Sequence, residues 1–142
     1  MSKIKWDVFL GAGLRQPNCA ERNQKLIDQI FSEGLTIFAP QVETPQDRVI
    51  TPLEIFNQNR AAIRSSTCFL FVPDGAGHGV YYELGYADAL DKMVIGFSSE
   101  GVKGLGKAIE GRWAALPPAL RTTNLDELKM AMQSLKRSRT SR

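Results

Sequence analysis

Apolar residues along this chain gather in short runs of strand length, separated by stretches in which they recur at helical spacing. Ile4 to Leu10 reads as a first strand, continuous in its Val8-Phe9-Leu10 end and running into Gly11-Ala12-Gly13. A helix is predicted from Asn18 or Cys19 to about Ser32, with Leu26, Ile27, Ile30 and Phe31 at helical spacing and Glu33-Gly34 as its stop. Leu35 to Ala39 is a second strand, ended by Pro40, and Gln41 to Ile50 is polar and aperiodic, a loop long enough to carry function. Thr51-Pro52-Leu53-Glu54 combines a capping threonine, a proline at the first helical position and a glutamate that closes a capping box. The helix it opens is predicted to reach Ser65, with Leu53, Ile55, Phe56, Ala62 and Ile63 available for burial.

Thr67 to Val72 is a third strand and Met93 to Phe97 a fourth, with a glycine-rich turn, Asp74 to Gly79, and a helix from about Gly79 to Asp91 between them. Ser98 to Gly106 is a loop with three glycines, Lys107 to Ala115 a short helix broken by Pro117-Pro118, and Asn124 to Glu127 a second capping box opening a last helix to about Lys136. Strands that alternate with helices imply a parallel sheet covered on both faces. The fold class expected is α/β, a three-layer sandwich on a parallel sheet of four or five strands in the flavodoxin-like order 2-1-3-4-5.

In such sheets ligands bind beyond the carboxyl ends of the strands, where the strand order reverses. That rule brings together Gly11-Ala12-Gly13 after strand one, the loop after Pro40, and Asp74 to Gly79 after strand three. Glu83 is expected in the first turn of the following helix, where the helix dipole favours an ionised carboxylate by roughly 0.3–1 kcal/mol. A carboxylate there acts as a nucleophile or cation stabiliser, or merely satisfies the dipole. His78 and Arg15 offer partners for an anion, and Asp74 either caps its turn or meets a ligand. One histidine and scattered carboxylates argue against a metal site, and no phosphate loop of the Walker type or dinucleotide fingerprint is present.

Composition changes this picture little. The 142 residues are 43% hydrophobic and 23% charged, enough for one domain with a substantial core. The domain is expected over 1–136, with 137–142 as a basic, disordered tail. The net charge of +3 owes much to Lys136, Arg137, Arg139 and Arg142, so nucleic acid is not an expected partner. Cys19 and Cys68 lack metal-type spacing, and Cys68 lies in an apolar run as a buried thiol. The chain opens without a hydrophobic leader and contains no run of membrane-spanning length, so a cytoplasmic protein is expected.

The segment Gly79-Val80-Tyr81-Tyr82-Glu83-Leu84-Gly85-Tyr86-Ala87, followed by Ala89-Leu90, Lys92 and Val94-Ile95, resembles the nucleoside 2-deoxyribosyltransferase family. It is similar also to the family's hydrolytic relatives, the 2′-deoxynucleoside 5′-phosphate N-hydrolases. Phe9-Leu10-Gly11-Ala12-Gly13 stands where the family has an aromatic-apolar-Gly-x-Gly motif, and Ile55 to Ile63 fits the helix before strand three. The likeness spans Val8 to Phe97. It implies a double displacement in which Glu83 attacks C1′ of the sugar, and a second base or water then releases the glycosyl group. It also implies a homo-oligomer whose neighbouring subunit completes the site from the segment after strand four, here Gly104 to Trp113. No cofactor is implied.

Three positions depart from the family pattern. Phe9 replaces a tyrosine whose hydroxyl orients the glutamate. Asn59 stands where an aspartate is implicated in base protonation, and an amide supplies hydrogen bonds but no proton. Gly77 replaces an aspartate that holds sugar hydroxyls; with His78, Gly79 and Arg15 it suits a 5′-phosphate better than a free hydroxyl. Glu83 is thus the expected catalytic residue, and Phe9, Gly11, Gly13, Arg15, Gln41, Asn59, Asp74, Gly77, His78 and Gly79 the expected substrate contacts. The alternatives are a nucleoside 5′-monophosphate hydrolase and, from another class, a nucleotide-binding module whose chemistry is impaired.

Overall fold

The computed structural model describes residues 3–45 and 48–140, with side chains through residue 138. Residues 46–47 of the loop after Pro40 and residues 141–142 of the basic tail lie outside this description.

Five parallel strands form one sheet in the order β2-β1-β3-β4-β5. They are β1 (Trp6–Ala12), β2 (Ile37–Phe38), β3 (Ser66–Val72), β4 (Met93–Phe97) and β5 (Arg121–Thr122). The central pair β1 and β3 runs in register from Trp6 opposite Ser66 to Ala12 opposite Val72, so both strands end at the same level. The helices are α1 (Cys19–Ser32), α2 (Pro40–Glu43), α3 (Pro52–Arg64), α4 (His78–Ala89), α5 (Lys107–Ala114) and α6 (Leu125–Thr140). A single 3-10 turn at Pro118–Leu120 leads into β5.

The alternation of strand side chains makes two cores. Val8, Leu10, Cys68, Leu70 and Val72 pack with Leu26, Ile27 and Ile30 of α1 and with Leu128 and Met132 of α6. Phe9, Phe69 and Phe71 face the other way, onto Ala62 and Ile63 of α3 and Val80, Leu84 and Ala87 of α4. The three-layer arrangement follows, α1 and α6 on one face, α3 and α4 on the other. Burial holds the Cys68 thiol up at about 12, an unreactive group.

The Thr51 box forms as expected: Thr51 Oγ1 accepts from the Glu54 amide at 3.1 Å, and Glu54 Oε1 accepts from the Thr51 amide at 3.4 Å. The second box forms in part. Asn124 Oδ1 accepts from the Glu127 amide, but the Glu127 carboxylate reaches past it to the amide and hydroxyl of Thr123.

Several elements differ from their sequence reading. The second strand pairs only at Ile37 and Phe38, although Leu35 and Ala39 on either side are buried too. The loop after it begins with the single turn α2. Leu53 and Phe56 of α3 are exposed rather than buried, because Ile55, Asn59, Ala62 and Ile63 occupy the inward stripe. The last helix continues beyond Lys136 to Thr140, so residues 137–140 of the basic segment extend it. No helix among the described residues is long and apolar enough to cross a membrane.

Candidate active site

Because β2 lies on one side of β1 and β3 on the other, the chain leaves the sheet in opposite directions after β1 and β3 and opens a crevice at their carboxyl ends. A cavity of about 640 Å³ occupies it, within the range of small-molecule sites. Its floor is the meeting of two backbone turns. A Cβ on Gly13 would lie 2.2 Å from the carbonyl oxygen of Gly75, so only glycine permits the two loops to touch. Gly75 itself has φ of 72°, and the Ala76 amide donates to the Pro73 carbonyl at 3.0 Å to close that turn.

Helix α4 begins beside this floor. Gly77 is its N-cap in extended conformation, and no side chain caps the helix. Gly77, His78, Gly79 and Val80 all line the cavity, which sets the amide end of the helix at its wall. Cβ atoms added at Gly77 or Gly79 would meet nothing within 4 Å.

Glu83 enters from further along α4. The helix starts at His78, so Glu83 is its sixth residue and sits in the second turn, not in the first turn as its sequence reading had it. The dipole effect fades beyond the first turn, and burial decides the outcome instead. Burial raises the Glu83 carboxyl to about 7, against the lowering effect of a hydrogen bond from Asn59. Asn59 Nδ2 donates that bond to Glu83 Oε2 at 3.0 Å across the α3–α4 interface. Ile55, one helical turn before Asn59, lines the same wall.

Seven of the residues singled out in the sequence line this cavity together: Gly13, Arg15, Asn59, Gly77, His78, Gly79 and Glu83. Four do not. Phe9 is fully buried between Phe38 and Phe69, with ring centroids 5.4 and 5.5 Å away, because its position on β1 points into the α3–α4 core. Gly11 is required by packing: a Cβ there would lie 2.2 Å from the Phe69 ring. The Gln41 side-chain oxygen accepts from Asn23 Nδ2 at 3.1 Å, which turns it toward α1. The Asp74 carboxylate accepts from Ser98 Oγ at 2.5 Å and from the amides of Ser99 at 2.9 Å and Glu100 at 3.3 Å, which ties the β3 turn to the loop after β4.

Ala12, Gly75 and Ala76, from the two turns the sequence placed here, also line the cavity, as do Leu14, Gln16, Pro40, Ile55 and Val80, which were not among the expected substrate contacts. The spacing of Ile55 and Asn59, four apart on one helix, was the available signal for that wall. In the segment after β4, Arg112 forms a two-pronged ion pair with Asp88, both contacts at 2.9 Å, and Lys107 is exposed.

Chemically the cavity joins a half-buried carboxyl, a neutral amide fixing one of its oxygens, and an uncapped helix start lined by glycine. A family model described as nucleoside 2-deoxyribosyltransferase matches residues 8–116. Among solved structures, a 2-deoxyribosyltransferase from Bacillus psychrosaccharolyticus superposes with a TM-score of 0.67 at 15% identity, covering 86% of this chain and 89% of that one. A CMP N-glycosidase from Clostridium botulinum gives 0.60 at 19% identity, with 91% and 97% covered. A 2-desoxiribosyltransferase from Leishmania mexicana gives 0.53 at 17% identity, with 82% and 77% covered. At these identities the structures establish a shared fold. No curated protein sequence matches the chain.

Proposed function

We propose that this chain, which belongs to the nucleoside 2-deoxyribosyltransferase family, cleaves the N-glycosidic bond of a nucleoside or nucleotide, with Glu83 as the nucleophile. The observation that carries this reading is the Asn59–Glu83 pair at the cavity wall. The amide holds Oε2, which leaves Oε1 for the anomeric carbon. As Glu83 attacks C1′, the C1′–N bond breaks and its electron pair leaves with the base, which takes up a proton from solvent water. The half-buried carboxylate faces the positive charge that develops on the sugar in an oxocarbenium-like transition state, and the reduced polarity of the cavity strengthens that attraction. The glycosyl ester is then opened by a second base, which is transfer, or by water, which is hydrolysis. Asn59 has no proton to give, so it orients the nucleophile and does not act as a general acid.

A second reading, hydrolysis of a nucleoside 5′-monophosphate, draws on the helix start. Gly77 and Gly79 leave space at the amide end of α4, and Arg15 and His78 line the same cavity. A CMP N-glycosidase among the structural neighbours fits this version. Both readings include a cytoplasmic enzyme of nucleotide metabolism that works as a homo-oligomer, residues 104–113 reaching a neighbouring site.

The test is a panel of ribo- and deoxyribonucleosides and their 5′-monophosphates, with and without a second base, followed by chromatography of free base. Exchange without net release identifies transfer, and release identifies hydrolysis. Tight binding with no turnover identifies a binding module instead. Undiminished turnover by Glu83→Gln removes the proposed nucleophile.

A further inference from the structure

The three loops that bound the cavity converge on two adjacent residues of α1 that neither touch it nor carry a catalytic signature. Asn23 is fully buried, and its amide is fully used. Its Nδ2 donates to the Gly13 carbonyl and to Gln41 Oε1, both at 3.1 Å. Its Oδ1 accepts from Arg22 Nε at 3.1 Å and from Nη2 at 2.9 Å. Arg22 in turn donates through Nη1 to the Asp74 carbonyl at 2.6 Å and through Nη2 to the Gly13 carbonyl at 3.4 Å. The acceptors belong to the turn after β1, the segment after β2 and the turn after β3. Gly13, Pro40 and Gly75, which line the cavity, are those acceptors or their neighbours.

We infer that Arg22 and Asn23 are positioning residues that hold the three loops in register from behind the cavity. The reason is geometric. Gly13 and Gly75 touch through their backbones, and such a contact carries no side-chain packing of its own to keep it closed. A guanidinium offers several N–H donors in a rigid fork, and here it reaches two carbonyls on two loops while its remaining bonds lock the asparagine. The asparagine adds the third loop through Gln41. Because every Asn23 hydrogen-bonding group is satisfied inside the protein, the network specifies one loop arrangement where an apolar pair would tolerate several. Calling the held space the substrate cavity rests on the functional reading above; the clamp itself does not.

The test is hydrogen exchange by mass spectrometry on the full chain, for the native protein and for Arg22→Ala, Asn23→Leu, Arg22→Lys and Gln41→Glu. Arg22→Ala is expected to speed exchange in residues 11–16 and 73–79, and Asn23→Leu in residues 11–16 and 39–45, each by about tenfold, on the order of one hydrogen bond's net worth. Exchange in β4 and α6 stays at the native rate. Gln41→Glu, which keeps an acceptor for Asn23, stays native throughout, and Arg22→Lys recovers part of the protection. Unchanged loops, or an equal rise in β4 and α6, overturns the inference. If Asn23→Leu does not fold, Gln41→Ala serves in its place and is expected to free residues 39–45 alone; native exchange there overturns it. With a substrate that the native protein turns over, Arg22→Ala should raise KM with the pH profile unmoved, and a fall in kcat at native KM counts against positioning. A native protein that turns over nothing sinks the glycosidic reading, while the exchange rates still decide the clamp.

Discussion

Asn59 Nδ2 donates to Glu83 Oε2 at 3.0 Å, a bond from α3 to α4 at the wall of the cavity. It also opposes the burial that lifts Glu83 to about 7. A nucleophilic carboxylate must be ionised, so turnover is expected to rise with pH through about 7 and level off above it. Asn59→Ala removes the donor that favours the charged form, and the half-point of the profile should move upward. The dependence of kcat/KM on pH measures this directly; a half-point that stays put or falls contradicts the role given to Asn59.

Glu83→Gln keeps the shape of the side chain and removes the charge. On the proposed mechanism activity is expected to fall on the order of 10³-fold or more, since an amide cannot form the proposed glycosyl ester. Stability should move the other way at high pH. The folded carboxyl holds its proton up to about 7, above its usual value of 4.5, so its favourable contribution is complete below 4.5 and lost as pH rises through 7. At pH 8 the variant is therefore expected to be more stable than the native protein by roughly 1–3 kcal/mol, and near pH 4 the two should match. Thermal unfolding at both values checks this, and a lower melting temperature for the variant at pH 8 contradicts it.

The parts of this molecule that were readable in the sequence are those whose signals are local. Thr51 to Glu54 carries its own cap, and Met93 to Phe97 is bounded on both sides by residues that end a strand. The strand order was expected from the alternation of strands with helices and their spacing, and the sheet has that order. Glu83 was legible as a candidate, but its place in the helix was not, because Gly77 and His78 give no capping signal to fix where α4 starts. The second strand was legible at Leu35 to Ala39, whereas the two-residue strand β5 was not, because it owes its existence to pairing with β4. Phe9 drew attention through a motif and lies in the core, since motif spacing does not say which face of β1 a residue takes. Arg22 and Asn23 sit among polar residues of α1, and only the folded chain brings Gly13, Gln41 and Asp74 to them.

Gly77 offers a test of what the helix start recognises. Its backbone already has the extended conformation of an N-cap, and the direction of its missing side chain is open. Gly77→Asp should cap α4 and hold or modestly raise the melting temperature, by a few tenths of a kcal/mol in stability. The same carboxylate would repel a phosphate at the helix amides. Affinity for a 5′-monophosphate is expected to fall relative to the matching nucleoside by at least about fivefold, since a like-charge contact at about 4 Å costs about 1 kcal/mol in bulk water and about 4 kcal/mol near a protein surface. Calorimetric titration with both ligands separates the outcomes, and equal losses for the two would place the phosphate elsewhere.

Gly13 and Gly79 make the opposite pair. A Cβ at Gly13 would sit 2.2 Å from the Gly75 carbonyl oxygen and 3.0 Å from its carbon, and both are backbone atoms that cannot swing aside. Gly13→Ala must part the two turns, at a cost of roughly 1–3 kcal/mol, and widen the cavity floor. A Cβ at Gly79 would meet nothing within 4 Å, and the residue lies within α4. Gly79→Ala is therefore expected to stabilise the helix by up to about 1 kcal/mol. Urea unfolding of the two variants beside the native protein distinguishes them. If Gly13→Ala is as stable as the native chain, the contact between the β1 and β3 turns does not hold the cavity floor.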